Sequence, residues 1–410
     1  MNVAAFIAKR IAFNRQKSFS RFIVRLATVA TAISVAVMIM TLSFVTGFQE
    51  AVSQKIFGFW GHLRVQHYEQ YKASIAEEEP IARNDSIVNL IKNIKGIRQV
   101  QAFATKYAIL KSPEYIEGVL FKGVDSNYDF SGMQQFLAEG RWIQANDSSY
   151  SREIVLSEYT AQQLQIKVND RILIYFFRGD NPPRPDRLTV VGLYKTGMEE
   201  YDKLYAIGDL KLVQRLNNWH RGDIGGYEIF VDDYHHMEEL NDAIFNALPG
   251  EWSSKTIKEI YPNLFDWLKL QDINRDVVLG IMIIIAIINL ITCLIIMVLE
   301  RTRMIGVLKA VGASDWTVQK IFSIQGIIIS VIGVAWGLII GVGICLIQKQ
   351  TGFIKFWDEN AYYMSVVPVH IIWVQIITVV LVTLVICFLI LLIPTLVSRK
   401  IQPAKGVQFR

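Results

Sequence analysis

Cysteine is scarce in this sequence, which contains only Cys293, Cys345 and Cys387 among 410 residues. All three lie inside long apolar runs near the C-terminal half of the chain. No disulfide framework and no CxxC metal site is therefore available to the polar region that precedes them. That region must fold on its own hydrophobic core.

The common catalytic motifs are missing as well. The chain contains no GxxxxGK[ST] phosphate-binding loop, no HExxH and no GxSxG. We therefore expect no catalytic residue and no metal site, and no binding of ATP in the usual manner. The chain is predicted not to be an enzyme.

Charged residues are few, at 19% of the chain against 52% hydrophobic residues, and the deficit is concentrated in four apolar runs. The runs cover roughly 24–46, 277–299, 321–347 and 371–396, and none has a charge in its central part. Each is long enough to cross a hydrocarbon core of about 30 Å as a helix. Buried helices of a globular protein seldom run so long without a polar face, so we predict four membrane spans.

Basic residues set the orientation by the positive-inside rule. Six lie before or at the very start of the first run, four lie between the second and third runs, and four follow the last run. Both termini and the 301–320 segment are therefore predicted to be cytoplasmic. A cleaved signal peptide is a poorer interpretation of the first run, which is too long and has no A-x-A-like site after it.

The predicted order along the chain follows from these runs. It comprises a cytoplasmic amphipathic segment or a solvated basic tail (1–21), span one (22–47), an external domain (48–272), a stalk with span two (273–300), a cytoplasmic coupling segment (301–320), span three (321–347), an external loop (348–370), span four (371–396) and a cytoplasmic tail (397–410). The fold class is an α+β membrane protein.

The external region alternates predicted strands and helices. Strand patterns lie at 62–68, 99–110, 115–125, 170–177, 188–194, 226–231 and 252–257, and helical patterns at 86–94 and 236–248. Asp85 is the predicted cap of the first of these helices. The order favours one mixed α/β domain interrupted by a β-rich insertion at about 130–215. No strong breaker follows Pro262, so we expect a helical stalk that leads into span two.

The segment ERTRMIGVLKAVGAS (300–314) combines charges with a helical apolar pattern. By composition it is either a basic loop or a docking helix with Ile305, Leu308 and Val311 as anchors. It resembles the signature that follows the second span in the FtsX/MacB superfamily of ABC permeases, where it couples the permease to its ATPase. The resemblance implies this coupling role for Glu300, Arg301, Arg303, Ile305, Gly306, Leu308, Lys309, Gly312, Ala313 and Ser314.

Other stretches are similar to the lipoprotein-releasing permeases of the LolC/LolE type: 6–23, 42–65, 118–125, 155–172, 190–207 and 266–303. The resemblance implies a multi-pass, non-catalytic permease of the bacterial inner membrane. Its complex would extract lipoproteins and pass them to a periplasmic carrier. The implied partners are a dimer of ATPases that hold ATP and Mg²⁺, a second permease copy or homologue, the carrier, the lipoprotein and the membrane, with no nucleic acid.

The segment FRGDNPPRPDR (177–187) lies between two predicted strands and is stiffened by its prolines. Alone it reads as an exposed hairpin tip. Its position matches the hook with which LolC-type permeases hold the carrier, so the resemblance implies a carrier-binding loop of Phe177, Arg178, Pro182, Pro183, Arg184, Pro185 and Arg187. Whether this chain is the carrier-binding permease or its LolE-like sibling stays open.

The spans supply two further sets of candidate residues. In the hypothesis of lateral entry, Ile39, Met40, Phe44, Val45 and Phe48 contact acyl chains. Small residues at spacings of three or four, which allow close helix approach, are Gly326, Ser330, Gly333, Gly337 and Gly341. They serve packing within the chain or a dimer contact. Asn289, Thr292 and Gln325 are expected to hydrogen-bond between helices.

Two other functions remain open. One is a MacB-like exporter permease that works with a periplasmic adaptor. The other is an FtsX-like regulator that converts ATPase strokes into activation of a periplasmic partner. The absence of an ATPase domain on this chain separates it from MacB-type pumps, and its external region is larger than that usual in FtsX-type proteins.

Overall fold

The computed structural model describes residues 19–68, 79–144, 150–178, 181–358 and 362–390. The chain divides into two compact units. We call the first the helical unit (1–50, 267–355 and 366–410) and the second the sheet unit (51–266 and 356–365). The predicted segment 1–21 lies almost wholly outside the described residues, as does the predicted tail 397–410.

Five helices, of which three are long, form most of the described part of the helical unit. They are the first helix (Phe19–Trp60, whose last residues belong to the sheet unit), the stalk helix (Pro262–Glu300, whose first residues do so), the coupling helix (Thr302–Ala310), the third long helix (Asp315–Thr351) and the last helix (Trp373–Ile390). The first helix continues well past the predicted end of span one at 47. The stalk helix begins at Pro262, eleven residues before the predicted boundary of the stalk at 273, and it runs on without a break, as the lack of a breaker after Pro262 predicts.

Three of these helices are long and apolar enough to cross a membrane: Phe22–Trp60, Pro262–Glu300 and Asp315–Thr351. The fourth predicted span is represented by a shorter apolar helix, Trp373–Leu389, and the remainder of that span lies outside the described residues. The fourth span therefore stays a prediction.

The sheet unit is built on one ten-stranded sheet with the order β12-β1-β11-β3-β4-β9-β6-β8-β5, with β7 paired to β3 and β8. A separate pair joins β2 to β10. The strands are β1 (Leu63–His67), β2 (Ile81–Ala82), β3 (Ile97–Lys111), β4 (Ile116–Val124), β5 (Leu137–Gly140), β6 (Glu153–Ser157), β7 (Arg171–Arg178), β8 (Asn181–Tyr194), β9 (Tyr205–Asp209), β10 (Asp223–Ile224), β11 (Gly226–Val231) and β12 (Trp252–Thr256).

Short helices connect the strands: Asp85–Lys92, Glu158–Leu164, Glu199–Leu204, Leu210–Asn217, Met237–Phe245 and Ile257–Ile260, with 3-10 turns at Ser131–Phe136 and Tyr234–His236. Four of these helices begin just after a residue whose side chain accepts a hydrogen bond from the first turn: Asn84, Ser157, Asp209 and Thr256. Thr256 and Glu259 form a reciprocal capping box. The first of these helices is capped by Asn84, whose side chain accepts from two backbone N–H groups. Asp85 is therefore the first helical residue and not the predicted cap.

The predicted β-rich insertion does not form a sheet of its own. Its strand β9 pairs in parallel with β4, from Leu120 opposite Tyr205 to Val124 opposite Asp209. Strands β6, β8 and β5 then extend the same sheet. The hydrogen-bonded ladder thus continues from the strands contributed by the two ends of the domain into the insertion.

Candidate functional site

The coupling helix ends in a Schellman motif, which explains the order Gly312–Ala313–Ser314. The Gly312 N–H donates to Lys309 O at 3.0 Å and the Ala313 N–H to Leu308 O at 2.9 Å. Gly312 has a φ of +97°, a conformation that glycine adopts at little cost. Ser314 then caps the third long helix by accepting from the Thr317 N–H. The turn is a defined structure and not a loose loop.

The coupling helix turns one face into the helical unit. Ile305 is fully buried and clusters with Val298, Val318 and Phe322. Gly306 is also buried, and the Lys309 ammonium lies 2.9 Å from the Asp315 carboxylate. Ile305 therefore packs inside this chain and is not the docking anchor that the helical pattern predicts.

The opposite face is apolar and exposed. Val311 is 83% exposed, Trp316 is 59% exposed and Val307 is half-exposed. Glu300 and Arg303 are exposed beside them, whereas Arg301, Leu308 and Ala313 are partly covered. The predicted anchor Val311 is thus available, and Trp316 is an exposed aromatic residue that the sequence analysis missed.

The predicted loop 177–187 is mostly a β-hairpin. Strand β7 runs to Arg178 and β8 begins at Asn181, with Tyr175 opposite Pro185 and Phe176 opposite Arg184. Residues 179–180 lie outside the described residues, and so do the side chains of 177–184. Proline is tolerated in a strand that has a free edge, which is why the prolines do not prevent pairing. Pro185 and Arg187 are exposed.

The pairing of β7 with β3 covers only part of this hairpin. β7 pairs with β3 only from Ala108 to Lys111. From Phe103 toward its start, β3 pairs instead with β11. The described pairing of β7 with β3 therefore ends at Phe176.

Glycines of the third long helix lie against the first helix. A Cβ added to Gly333 would lie 2.8 Å from Thr31 Cβ, and one added to Gly337 would lie 2.6 Å from Val35 Cβ. A Cβ on Gly341 would lie 3.1 Å from the Ala36 backbone. Gly326 and Ser330 are buried on the same helix, with the Ser330 hydroxyl donating to Gly326 O. The stripe is occupied by packing within the chain.

The five predicted acyl-contact residues divide into two groups. Ile39 and Phe48 are buried, the first in a cluster with Val35 and Met38, the second edge-on against Trp267 at 5.6 Å. Neither is open to a ligand in this structure. The remaining three, Met40, Phe44 and Val45, are partly exposed.

Polar side chains also join the helices. The Asn289 amide donates to Ala27 O at 3.0 Å, so it makes the interhelical hydrogen bond that the sequence predicts. Gln49 donates to Leu268 O at 3.0 Å, which joins the first helix to the stalk helix inside the helical unit. Such bonds satisfy polar groups in a surrounding that lacks water.

The end of the first helix is fixed in the sheet unit by a buried ion pair. Lys122 on β4 and Glu228 on β11 are both fully buried, with Nζ 2.7 Å from Oε1. Lys122 Nζ also donates to Phe59 O at 2.6 Å, in the last turn of the helix. The Tyr128 hydroxyl donates to Glu228 at 2.9 Å. Burial and the Glu228 charge hold the pKa of Tyr128 well above its usual value.

This arrangement caps the helix electrostatically. The carbonyls of the last helical turn have no partner within the helix and carry partial negative charge. An ammonium group at this end satisfies one of them and interacts favourably with the helix dipole. Lys122 therefore connects the first helix to two strands of the sheet.

Aromatic side chains surround the same helix end. Phe59 lies 5.3 Å from Tyr205 between ring centroids, and Trp60 lies 4.8 Å from Tyr205. Phe57 stacks on Phe265 at 5.9 Å, near the start of the stalk helix, and the Tyr205 and Tyr261 hydroxyls are 3.4 Å apart. We call these residues the junction cluster. One local feature of the sequence indicates this cluster: three of the four residues at 57–60 are aromatic.

Known proteins and family models match this chain over almost its whole length. Residues 26–244 match the family of the MacB-like periplasmic core domain, and residues 277–403 match the FtsX-like permease C-terminal family. The lipoprotein-releasing system transmembrane protein LolC of Xylella fastidiosa is 22% identical over 96% of both chains. The corresponding LolE protein of Haemophilus influenzae is 23% identical over 99% of both chains.

Among solved structures, the periplasmic region of MacB from Actinobacillus actinomycetemcomitans aligns with 49% of this chain and 91% of its own length. The identity is 14% and the TM-score is 0.35, which is too low to establish a common fold. The sequence matches carry the assignment. The chain belongs to the family of the MacB-like periplasmic core domain and is a permease of the LolC/LolE type within the FtsX/MacB superfamily.

Proposed function

We propose that this chain is the permease subunit of an ATP-driven complex that extracts lipoproteins from the inner membrane and passes them to a periplasmic carrier. The observation that carries the proposal is the coverage of the relatives. Proteins named for lipoprotein release match from end to end, over 96% to 99% of both chains, and not in one domain alone. At 22–23% identity the substrate itself remains a proposal.

The energetics of extraction call for an external energy source. Each buried CH₂ of an acyl chain contributes about 0.8 kcal/mol to membrane affinity, so a single long chain contributes on the order of 10 kcal/mol. The chain has no phosphate-binding loop. The hydrolysis is therefore assigned to a separate cytoplasmic ATPase, which would hold ATP and Mg²⁺.

The exposed face of the coupling helix is the proposed ATPase contact. Val307, Val311 and Trp316 are apolar, exposed, and presented on a capped helix–turn–helix. Tryptophan is one of the residues that are enriched at the energetic hot spots of protein interfaces. In this proposal Ile305 and Lys309 hold the coupling helix in place and do not contact the ATPase.

The stalk helix offers a path for the stroke. It has 39 residues and is continuous from Pro262 to Glu300, a length of about 58 Å at roughly 1.5 Å per residue. The coupling helix follows it after Arg301. At its other end, Tyr261 and Phe265 belong to the junction cluster. Movement of the coupling helix would thus reach the sheet unit through a single helix.

The lipid-facing route and the carrier contact are assigned by residue. Phe22, Leu26, Val29 and Ile33 form one exposed apolar stripe along the first helix, and Met40, Phe44 and Val45 would continue it for an acyl chain. The β7–β8 hairpin, with Pro185 and Arg187 exposed, is the proposed carrier contact. A second permease, identical or homologous, would complete the complex.

Depletion of this protein in its host tests the proposal. Lipoproteins destined for the outer membrane should accumulate in the inner-membrane fraction before growth stops. A plasmid copy should restore sorting, and a copy with Val311→Asp should not, provided that equal amounts reach the membrane. An unchanged distribution of lipoproteins would overturn the proposal and leave export or regulation as the function of this permease.

A further inference from the structure

The loop between the third long helix and the last helix is closed at its base by one side chain. Gln348 is buried, and its Nε2 donates to both Ile354 O and Val367 O at 2.9 Å. Its Oε1 accepts from the Ile354 N–H at 2.8 Å. A single amide thus fixes both strands of the loop where they leave the helices.

The described residues in the outer part of the loop are also held by hydrogen bonds and ring stacking. The Phe356 N–H donates to Ser365 O at 3.0 Å, and the rings of Phe356 and Tyr362 stack with centroids 4.5 Å apart. Lys55 donates to Tyr363 O at 2.5 Å and to Thr196 O at 2.6 Å.

The carboxylate of Asp202 orders the carbonyl that Lys55 reaches. It accepts from the Thr196 and Gly197 N–H groups, both at 3.0 Å, and from the Thr196 hydroxyl at 2.8 Å. Residues 356–365 of the loop belong to the sheet unit, and a partly buried polar network holds Tyr363 within that unit. The conformation of the loop is specified by side chains from three other segments.

Against this background Trp357 is anomalous. Its side chain is 101% exposed, as open as in an extended peptide, although its neighbour Phe356 is stacked and hydrogen-bonded. Indole is the largest partly apolar side chain, and leaving it in water forgoes a large favourable burial. A fixed backbone that presents a bare indole points to a contact outside this chain.

The position in the chain favours the membrane as that contact. Trp357 lies six residues after Thr351, the end of a helix long enough to span. Six residues reach at most about 20 Å, and the closed hairpin shortens this distance. The polar interface extends roughly 5–8 Å beyond the hydrocarbon core. Exposed Phe353 and Trp373 mark the same ends of the two helices.

The chemistry agrees with this position. Tryptophan is enriched at membrane interfaces because its ring is apolar while its N–H seeks a polar partner. Asp358 and Lys355 flank the indole and would remain in the headgroup layer. A protein partner would be expected to meet a broader apolar patch, whereas the immediate neighbours of Trp357 are Phe356, which is stacked on Tyr362, and the charged Asp358.

We propose that Trp357 inserts its indole into the interfacial layer of the bilayer and makes the 352–372 loop a membrane anchor. Because Trp357 and Tyr363 belong to the sheet unit, the anchor would also restrain that unit at the membrane. The proposal requires only that the chain spans a membrane. It does not depend on which substrate the permease moves.

Lipid quenching of tryptophan fluorescence tests the anchor. The full chain is reconstituted in phospholipid vesicles whose acyl chains carry bromine near the headgroup end or near the methyl end. The chain has nine tryptophans, so the emission of Trp357 is obtained as the difference between the wild type and Trp357→Phe. Trp357→Tyr repeats the subtraction, and Trp219→Phe, in the sheet unit, is the matched control.

The anchor predicts that bromine near the headgroup end quenches the Trp357 difference emission at least about twofold more than bromine near the methyl end. The Trp219 difference should be unaffected by either lipid. Quenching of Trp357 by aqueous iodide with no effect of bromine would place the indole in water. Protection from both quenchers would place it under protein, such as a second copy. Either result overturns the proposal.

Discussion

Lys122 and Glu228 form an ion pair at 2.7 Å in the interior of the sheet unit, although 106 residues separate them in the chain. Neither side chain has access to water. The pair is tolerated because Lys122 also donates to Phe59 O and Glu228 also accepts from Tyr128. Every charge therefore has several partners, which a buried pair needs to offset its desolvation.

Replacement of Lys122 by Met should be among the most damaging substitutions in the sheet unit. It leaves Glu228 buried without a counter-charge and removes the cap from the first helix. Loss of one partner of a buried pair costs about 3–5 kcal/mol. The measurement is the thermal unfolding midpoint of the full chain in detergent.

The exposed pair Lys195–Glu158, at 4.0 Å, provides the control for this substitution. Lys195→Met should change the stability by less than about 0.5 kcal/mol, because exposed pairs contribute little. The double variant Lys122→Met/Glu228→Leu should be more stable than Lys122→Met alone, since no unpaired charge remains. Equal midpoints for Lys122→Met and the wild type would contradict a structural role of the pair.

His62 should make the sheet unit sensitive to mild acid. Burial, with a smaller effect of Arg98, lowers the pKa of His62 to about 4. The unfolded chain has a His pKa of about 6.5. Between these values the unfolded state binds a proton that the folded state does not, so stability falls as the pH is lowered from about 6.5 toward 4. The full loss is about 3 kcal/mol at most.

The comparison that isolates this effect is the unfolding midpoint at pH 7.5 and pH 5 for the wild type and His62→Gln. Glutamine keeps an acceptor for the Val231 N–H, which lies 3.3 Å from His62 Nδ1, and it does not titrate. The variant should therefore lose less stability on acidification. Identical pH dependence in the two proteins would show that His62 does not carry the effect.

The apolar helices could be predicted from the sequence because membrane spans are a property of composition. The stalk helix could be predicted too, since nothing after Pro262 breaks it. The hairpin could not: the prolines of 182–185 indicate a loop by composition, yet β7 offers a partner strand and β8 has a free edge there. Whether such a segment forms a strand depends on the strand that pairs with it, and the local sequence holds no information on that pairing.

The candidate site, too, depends on contacts between distant segments that local sequence does not show. The coupling segment was found through its resemblance, but the direction of its faces depends on the third long helix, which buries Ile305. The sequence indicates the Lys122–Glu228 pair only weakly: β4 carries Glu117 and Lys122, and β11 carries Glu228. Which charges meet is fixed by the order β11-β3-β4. The Lys55 contacts join segments 141 and 308 residues away, beyond any local pattern.

Gly337 should not tolerate even a methyl group. Its added Cβ would lie 2.6 Å from Val35 Cβ and 2.7 Å from Ala32 O, so the first helix would have to move. Overpacking of this kind costs about 1–3 kcal/mol. We expect Gly337→Ala to lower the unfolding midpoint in detergent. Gly343 in the same helix has no atom within 4 Å of its added Cβ, and Gly343→Ala should leave the midpoint unchanged or raise it. The same fall for both would mean that helix contact is not the cause.

Val311→Asp should uncouple the permease from its ATPase without unfolding it. Val311 is 83% exposed and contributes little to the packing of the coupling helix, so the unfolding midpoint should stay near that of the wild type. A carboxylate placed in an apolar interface would cost about 1–2 kcal/mol of binding, roughly a fivefold to thirtyfold loss of affinity. The measurements are the ATPase retained on the purified full chain and its rate of ATP hydrolysis. Ile116→Asp makes the same chemical change at an exposed position of the sheet unit and should alter neither. If Val311→Asp retained the ATPase and its rate, the exposed face of the coupling helix would not be the contact.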